Sequence, residues 1–206
     1  MLIDKIMPNN YTTPPIKGRP PSIDLVAALD AAVLTFWEKG YEATSMQDLV
    51  KATGLLKGSL YGAFGDKKVL YMKALAHYDK THIQSALDML SSNASVEDKV
   101  FNLFEAVIEG VKKGVFAGGC LLCNASMEMA TVDKGVQDSV NKTIQRLCKA
   151  VTIALKSNGD SSDQAEALAN AIISSYFGAR VLAKAGAPVQ MIIDAQTASV
   201  RGLSTL

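Results

Sequence analysis

This 206-residue chain has no apolar run of about eighteen residues or more, the length a membrane-spanning helix needs, so no membrane association is expected. The N-terminus lacks the charged-then-apolar pattern of a secretory signal, and a cytoplasmic protein is the expectation. Cysteine is scarce and odd in number; three thiols make no secreted disulfide framework and are expected to be reduced. Histidine is scarcer still. His77 and His82 stand five apart, do not share a helical face, and so offer no metal-ligand pair; both are expected as surface or linker side chains. No histidine-containing nucleophile constellation or phosphate-binding glycine loop is present, which argues against an enzyme and points to no cofactor or metal. No strand pattern persists long enough to count, so the fold class expected is all-α. Excess charge is missing too. A net charge of +1 means that attraction for a polyanion would have to come from a local patch.

What is there is apolar and periodic. A hydrophobic fraction of 49% with 20% charged residues supports a substantial core. Residues 1–80 carry ten basic and eight acidic side chains, against eleven and twelve in the remainder, so basicity gathers at the front. Residues 1–21 hold five of the six prolines and read as an extended or flexible arm ending in Lys17, Gly18 and Arg19. Ser22 or Asp24 can cap a helix to about Lys39, with Leu25, Ala28, Leu29, Ala32, Val33, Phe36 and Trp37 on its apolar face and Gly40 as its stop. Trp37, the only tryptophan, is assigned to the core.

The stretch Thr44–Leu70 organises the rest. Met46, Leu49, Val50 and Thr53 share one helical face, and Leu56, Leu60, Ala63 and Phe64 share one face of the next helix, with Leu56, Leu60 and Phe64 turned inward. Thr44 and Gln47 stand at capping-box spacing, and Gly54 can take the left-handed conformation that reverses the chain between the two helices. The result is a helix-turn-helix. Its second helix presents Lys57, Gly58, Ser59, Tyr61 and Gly62 outward, a small, polar, basic surface. Five lysines against two aspartates between Thr44 and Lys73 give the electrostatic footprint of a phosphate-contacting face.

These residues resemble the DNA-binding domain of the tetracycline-repressor (TetR) family of bacterial regulators, over about sixty residues from Gly18 to Asp79. The likeness is carried by Phe36, Gly40 and Tyr41, by Thr44 and Ser45 opening the second helix, by Gly54, by the run Gly58-Ser59-Leu60-Tyr61, and by Phe64 and Lys67. Val50 stands where the family often has a small residue, and Leu56 where it often has a capping serine. The resemblance implies a domain plan of arm (1–21), helix-turn-helix domain (22–80) and helical ligand-binding and dimerisation domain (81–206). It implies a double-stranded DNA operator as partner, read by a homodimer whose recognition helices lie roughly 34 Å apart or somewhat more. Lys57 and Ser59 would reach base edges, Thr44, Tyr61 and Lys67 phosphates, and Gly58 and Gly62 would let the backbone approach. Lys17 and Arg19 could extend that contact.

Beyond the head, a helix from Lys67 to about Leu90 links to the remainder, Ser91–Ser95 is a loop, and Ser95 with Asp98 caps a helix bearing Val96, Val100, Leu103, Phe104, Val107, Ile108 and Val111. Helices follow over about Lys134–Lys156, Ser162–Lys184 and Pro188–Gly202. The last two carry broad apolar faces and many small residues, which read as core by themselves and, by the resemblance, as a four-helix dimer interface. The family's C-terminal domain holds an effector cavity; candidate lining residues here are Phe101, Phe104, Phe116, Asn124, Met127, Glu128 and Tyr176. Cys120 and Cys123, in a glycine-cysteine-leucine run found in one subgroup of the family, read either as small core residues or as a thiol sensor of oxidants or electrophiles. The expectation is a ligand-released repressor. Its rivals are an all-helical enzyme or small-molecule-binding carrier with an apolar pocket, and a protein-binding module that has lost its DNA contacts.

Overall fold

The structure, a computed structural model, describes residues 24–114, 119–157 and 162–205. The arm with Lys17 and Arg19, and Phe116, lie outside the described residues. Among the described residues there is helix and no strand, and no helix is long and apolar enough to cross a membrane.

The head is built from α1 (Leu25–Lys39), α2 (Met46–Thr53), α3 (Lys57–Phe64) and α4 (Lys67–Tyr78). Asp24 caps α1, its carboxylate accepting from the amides of Val26 and Ala27. The cap of α2 sits one residue later than the expected Thr44: Ser45 and Asp48 form the reciprocal capping box. Gly54 ends α2 at φ 68°, which produces the expected reversal. Leu56 departs from expectation. It precedes α3 without a side-chain capping bond and is 79% exposed, because it belongs to the turn and not to the buried stripe of Leu60 and Phe64. Phe36, Tyr41 and Tyr71 cluster at 4.8–6.2 Å between ring centres and fix α1 against α4.

The linking helix is not one uniform α-helix. Between α4 and α5 (Gln84–Leu90), residues Asp79–Ile83 form a π-helical segment. Asp79 is drawn sideways there, accepting from Thr143 Oγ1 at 2.9 Å and pairing with Arg146, while Arg146 also donates to Gln84 at 3.0 Å. Both partners belong to α8 (Lys134–Lys156), so the π segment is pinned to the body.

The body continues with α6 (Val96–Lys112), α7 (Leu121–Glu128), α8, α9 (Ser162–Lys184) and α10 (Val189–Arg201). On α6 the expected stripe of Val96, Val100, Leu103, Phe104, Val107 and Ile108 is buried. The faces of the last two helices resolve as well. Ala165, Ala169, Ile172, Ile173 and Tyr176 on α9 and Ile192 on α10 are buried within this one chain. The exposed side of α9 is a different stripe, Ala167, Ala171, Ser174, Gly178 and Val181.

Candidate nucleic-acid interface and effector cavity

The α3 surface follows from which of its residues the core claims. Leu60 is fully buried and Phe64 nearly so, which leaves Lys57, Gly58, Tyr61 and Gly62 exposed and Ser59 half-exposed. A side chain added at Gly58 or Gly62 would meet nothing within 4 Å. These glycines are therefore not required by internal packing, and each costs roughly 1 kcal/mol of helix propensity relative to alanine. They bare the helix backbone toward the outside. Thr44, in contrast, lies beneath this face: it is fully buried and its hydroxyl donates to the Gly40 carbonyl at 2.6 Å.

The lysines of the region divide into two groups. Lys68 pairs with Asp133, Lys73 donates to the Ala63 carbonyl, and Lys67 lies 4.3 Å above the Tyr41 ring. Among the described residues, neither Lys51 nor Lys57 has a hydrogen-bond or ion-pair partner, and both are exposed. The accessible charge is concentrated on the helix-turn-helix itself.

A cavity of about 470 Å³ opens in the body between α7, α8 and α9, lined by Cys123, Ser126 and Met127, by Ile144 and Cys148, and by Asn170, Ile173, Ser174, Phe177, Gly178 and Val181. Its size and mostly apolar wall suit a small organic molecule. Of the expected lining residues, it contains Met127 alone. Phe101 is exposed on α6, Phe104 and Tyr176 pack edge to face in the core at 5.9 Å, and Asn124 and Glu128 face the other way. The missed wall residues are small or lie on helices distant in sequence, so no local pattern marks them.

Asn124 and Glu128 instead fasten the body to the head. Asn124 donates to the Trp37 carbonyl at 3.0 Å and accepts from Lys184 at 2.7 Å. The Tyr41 amide donates to Glu128 at 2.6 Å. Gly40, at φ 84°, admits this contact: a Cβ there would lie 2.1 Å from Glu128 Oε1. One short helix, α7, thus lines the cavity with Cys123, Ser126 and Met127 and holds the head with Asn124 and Glu128. Both histidines are partly buried, His77 within the head and His82 on the π segment of the linking helix. His77 Nε2 lies 2.6 Å from Asp30 of α1, and His82 stacks on Tyr78 at 4.5 Å with its edge toward Trp37.

Cys120 caps the start of α7 and is buried beside Tyr78, whose hydroxyl donates to its sulfur at 3.5 Å. Burial opposes its ionisation, but hydrogen bonding with Cys123, the nearby Arg180 guanidinium and the Tyr78 hydroxyl outweigh it and hold the Cys120 thiol well below the usual value. Cys123, hydrogen-bonded to Cys120 and buried, is pushed up. No group of side chains among the described residues is arranged to hold a metal ion.

The family model for bacterial regulatory proteins of the tetR family matches residues 28–73, and that for the C-terminal domain of LmrA/YxaF-like transcriptional regulators matches residues 97–197. The HTH-type transcriptional repressor ComR of Escherichia coli K12 is 36% identical over 109 residues, 52% of each chain. The uncharacterized HTH-type regulator YezE of Bacillus subtilis is 28% identical over 116 residues, 56% of this chain and 60% of YezE. These alignments therefore span only about half the length of either regulator. A cysteine mutant of the TetR family regulator CifR, solved with 26 bp double-strand operator DNA, superimposes with a TM-score of 0.73 at 27% identity, covering 89% of this chain and 98% of that one.

Proposed function

Because the chain belongs to the TetR family of bacterial regulatory proteins, we propose that it is a cytoplasmic transcriptional repressor that binds a palindromic operator as a homodimer and is released by a small-molecule effector. The observation that carries the DNA assignment is the outer face of α3, where an unpaired Lys57, Ser59 and Tyr61 flank two glycines that no internal packing requires. In this reading residues 22–80 are the reading head and residues 81–206 the body. Lys57 donates to base edges in the major groove, Tyr61 and Lys67 touch phosphates, and the bare backbone at Gly58 and Gly62 brings α3 close. Thr44 acts from below, by holding the Gly40 turn.

The effector enters the cavity between α7, α8 and α9. It must bind the DNA-competent and DNA-incompetent forms with different affinity, or it shifts nothing. Helix α7 supplies the means, since displacing its cavity side also moves Asn124 and Glu128 against Trp37 and Tyr41. The test is selection of bound duplexes from a random pool, followed by binding as a function of salt. A palindrome should emerge. Lys57→Ala and Tyr61→Ala should each weaken binding by about tenfold, and Lys67→Ala, which removes a phosphate contact, should lower the salt slope by about one. Unchanged affinity in both α3 variants would remove α3 from the interface.

The position of Cys120 beside Arg180 and Tyr78 favours a second reading, in which the effector is an electrophile that reacts with a thiol. Cys123 lies in the cavity wall and Cys120 just behind it. Limited alkylation of the native protein followed by mass spectrometry should label Cys120 or Cys123 faster than Cys148. Inert thiols at both positions would leave only the reversible effector.

A further inference from the structure

A second groove, of about 520 Å³, lies between α5, α6 and α8, away from the cavity of α7 and α9. Its floor is apolar, made by Leu87, Leu90, Ala150, Ile153 and Ala154, and Ile153 is 58% exposed there. Its charged residues are all cations: Lys99, Arg146 and Lys149, with no carboxylate in the lining. Arg146 is already engaged by Asp79 and Gln84. Lys99 is different. Only 9% of its surface is exposed, yet it makes no hydrogen bond or ion pair among the described residues. Ordering its stem in the wall costs side-chain entropy, and its ammonium reaches solvent at the groove with no partner among the described residues. The last turns of α5 and α8 bring carbonyl oxygens to the groove, but those of Leu87, Ile153 and Ala154 are taken by the amide or hydroxyl of Ser91 and Ser157, and no carbonyl accepts from Lys99.

We propose that this groove binds a small amphipathic anion, a single acidic head on a short apolar chain. Its head lies between the Lys99 and Lys149 ammonium groups and its chain lies over Leu87, Leu90 and Ile153. The proximity of two cations to an apolar floor distinguishes this ligand from a simple anion, which would leave the floor wet, and from a neutral apolar molecule, which would leave Lys99 unpaired. The site stands whether or not the protein reads DNA, since it shares no lining residue with α3 or with the apolar cavity between α7, α8 and α9.

The test is calorimetric titration of the full chain with octanoate at neutral pH and low salt, with acetate, inorganic phosphate and octanol as comparisons. Octanoate should bind once per chain, and the other three at least about tenfold more weakly. Lys99→Met and Lys149→Ala should each weaken octanoate by about tenfold or more, and Lys99→Arg should restore part of the loss. In methyl-labelled protein, octanoate should shift the Ile153 signal and leave Ile144 and Ile173 in place. Absence of octanoate binding, octanol or inorganic phosphate binding as tightly as octanoate, or affinity indifferent to both lysines would each overturn the assignment. So would shifts confined to Ile144 and Ile173.

Discussion

His82 lies face to face with Tyr78 and edge-on to Trp37, and burial together with the Arg180 charge holds its pKa down at about 4, against about 6.5 for a free imidazole. Between those two values the unfolded chain binds a proton that the folded chain refuses. Stability therefore rises with pH across that window and falls as acid is added, by up to about 3 kcal/mol from this group. Urea unfolding of the protein and of His82→Phe at pH 7.5 and pH 5 should show the difference between them growing in acid, with the variant losing less. Such environments are hard to read from sequence, because Asp30 beside His77 and Trp37 beside His82 come from α1, far back in the chain. Local chemistry was more legible. Asp24 and Ser95 cap the helices they were expected to cap, and the cap of α2 shifted by only one residue because Asp48 at N3 outcompetes Gln47 for a reciprocal bond.

Among the elements, the helices themselves were readable, since their apolar stripes repeat at helical spacing on α1, α6 and α8 and end at glycine or polar caps. The π segment at Asp79–Ile83 was not. It arises where the linking helix is held sideways by Thr143 and Arg146, a tertiary pull that leaves no mark in the periodicity. Helix α7 shows the same limit in the candidate site. Its sequence marked the helix and its polar residues, but only packing shows that Met127 faces the cavity while Asn124 and Glu128 face the head. If α7 is the joint between the two, Glu128→Ala should lower stability by about 1–3 kcal/mol, the usual cost of losing a hydrogen bond to a charged group. Hydrogen exchange at the Tyr41 amide should accelerate with it, while exchange in the middle of α8 changes only as far as global stability does.

At the scale of the whole molecule, the apolar faces of α9 and α10, which read as core by themselves and as a dimer interface by the resemblance, are largely turned into the core of this one chain. For the homodimer proposed above, the exposed stripe of Ala167, Ala171, Ser174, Gly178 and Val181 offers a surface where small side chains permit close helix approach. Ser174→Arg should shift the protein toward monomer in sedimentation and weaken operator binding by about tenfold or more, with its circular dichroism spectrum unchanged. Dimerisation of that variant at the concentration where the parent dimerises would place the contact elsewhere. The same stripe borders the candidate effector site, because Ser174, Gly178 and Val181 also form one wall of the cavity between α7, α8 and α9. A neighbouring molecule seated there would act as part of the lid. The dose of effector needed for release would then depend on how many copies of the regulator a cell holds, and dilution alone would retune the response.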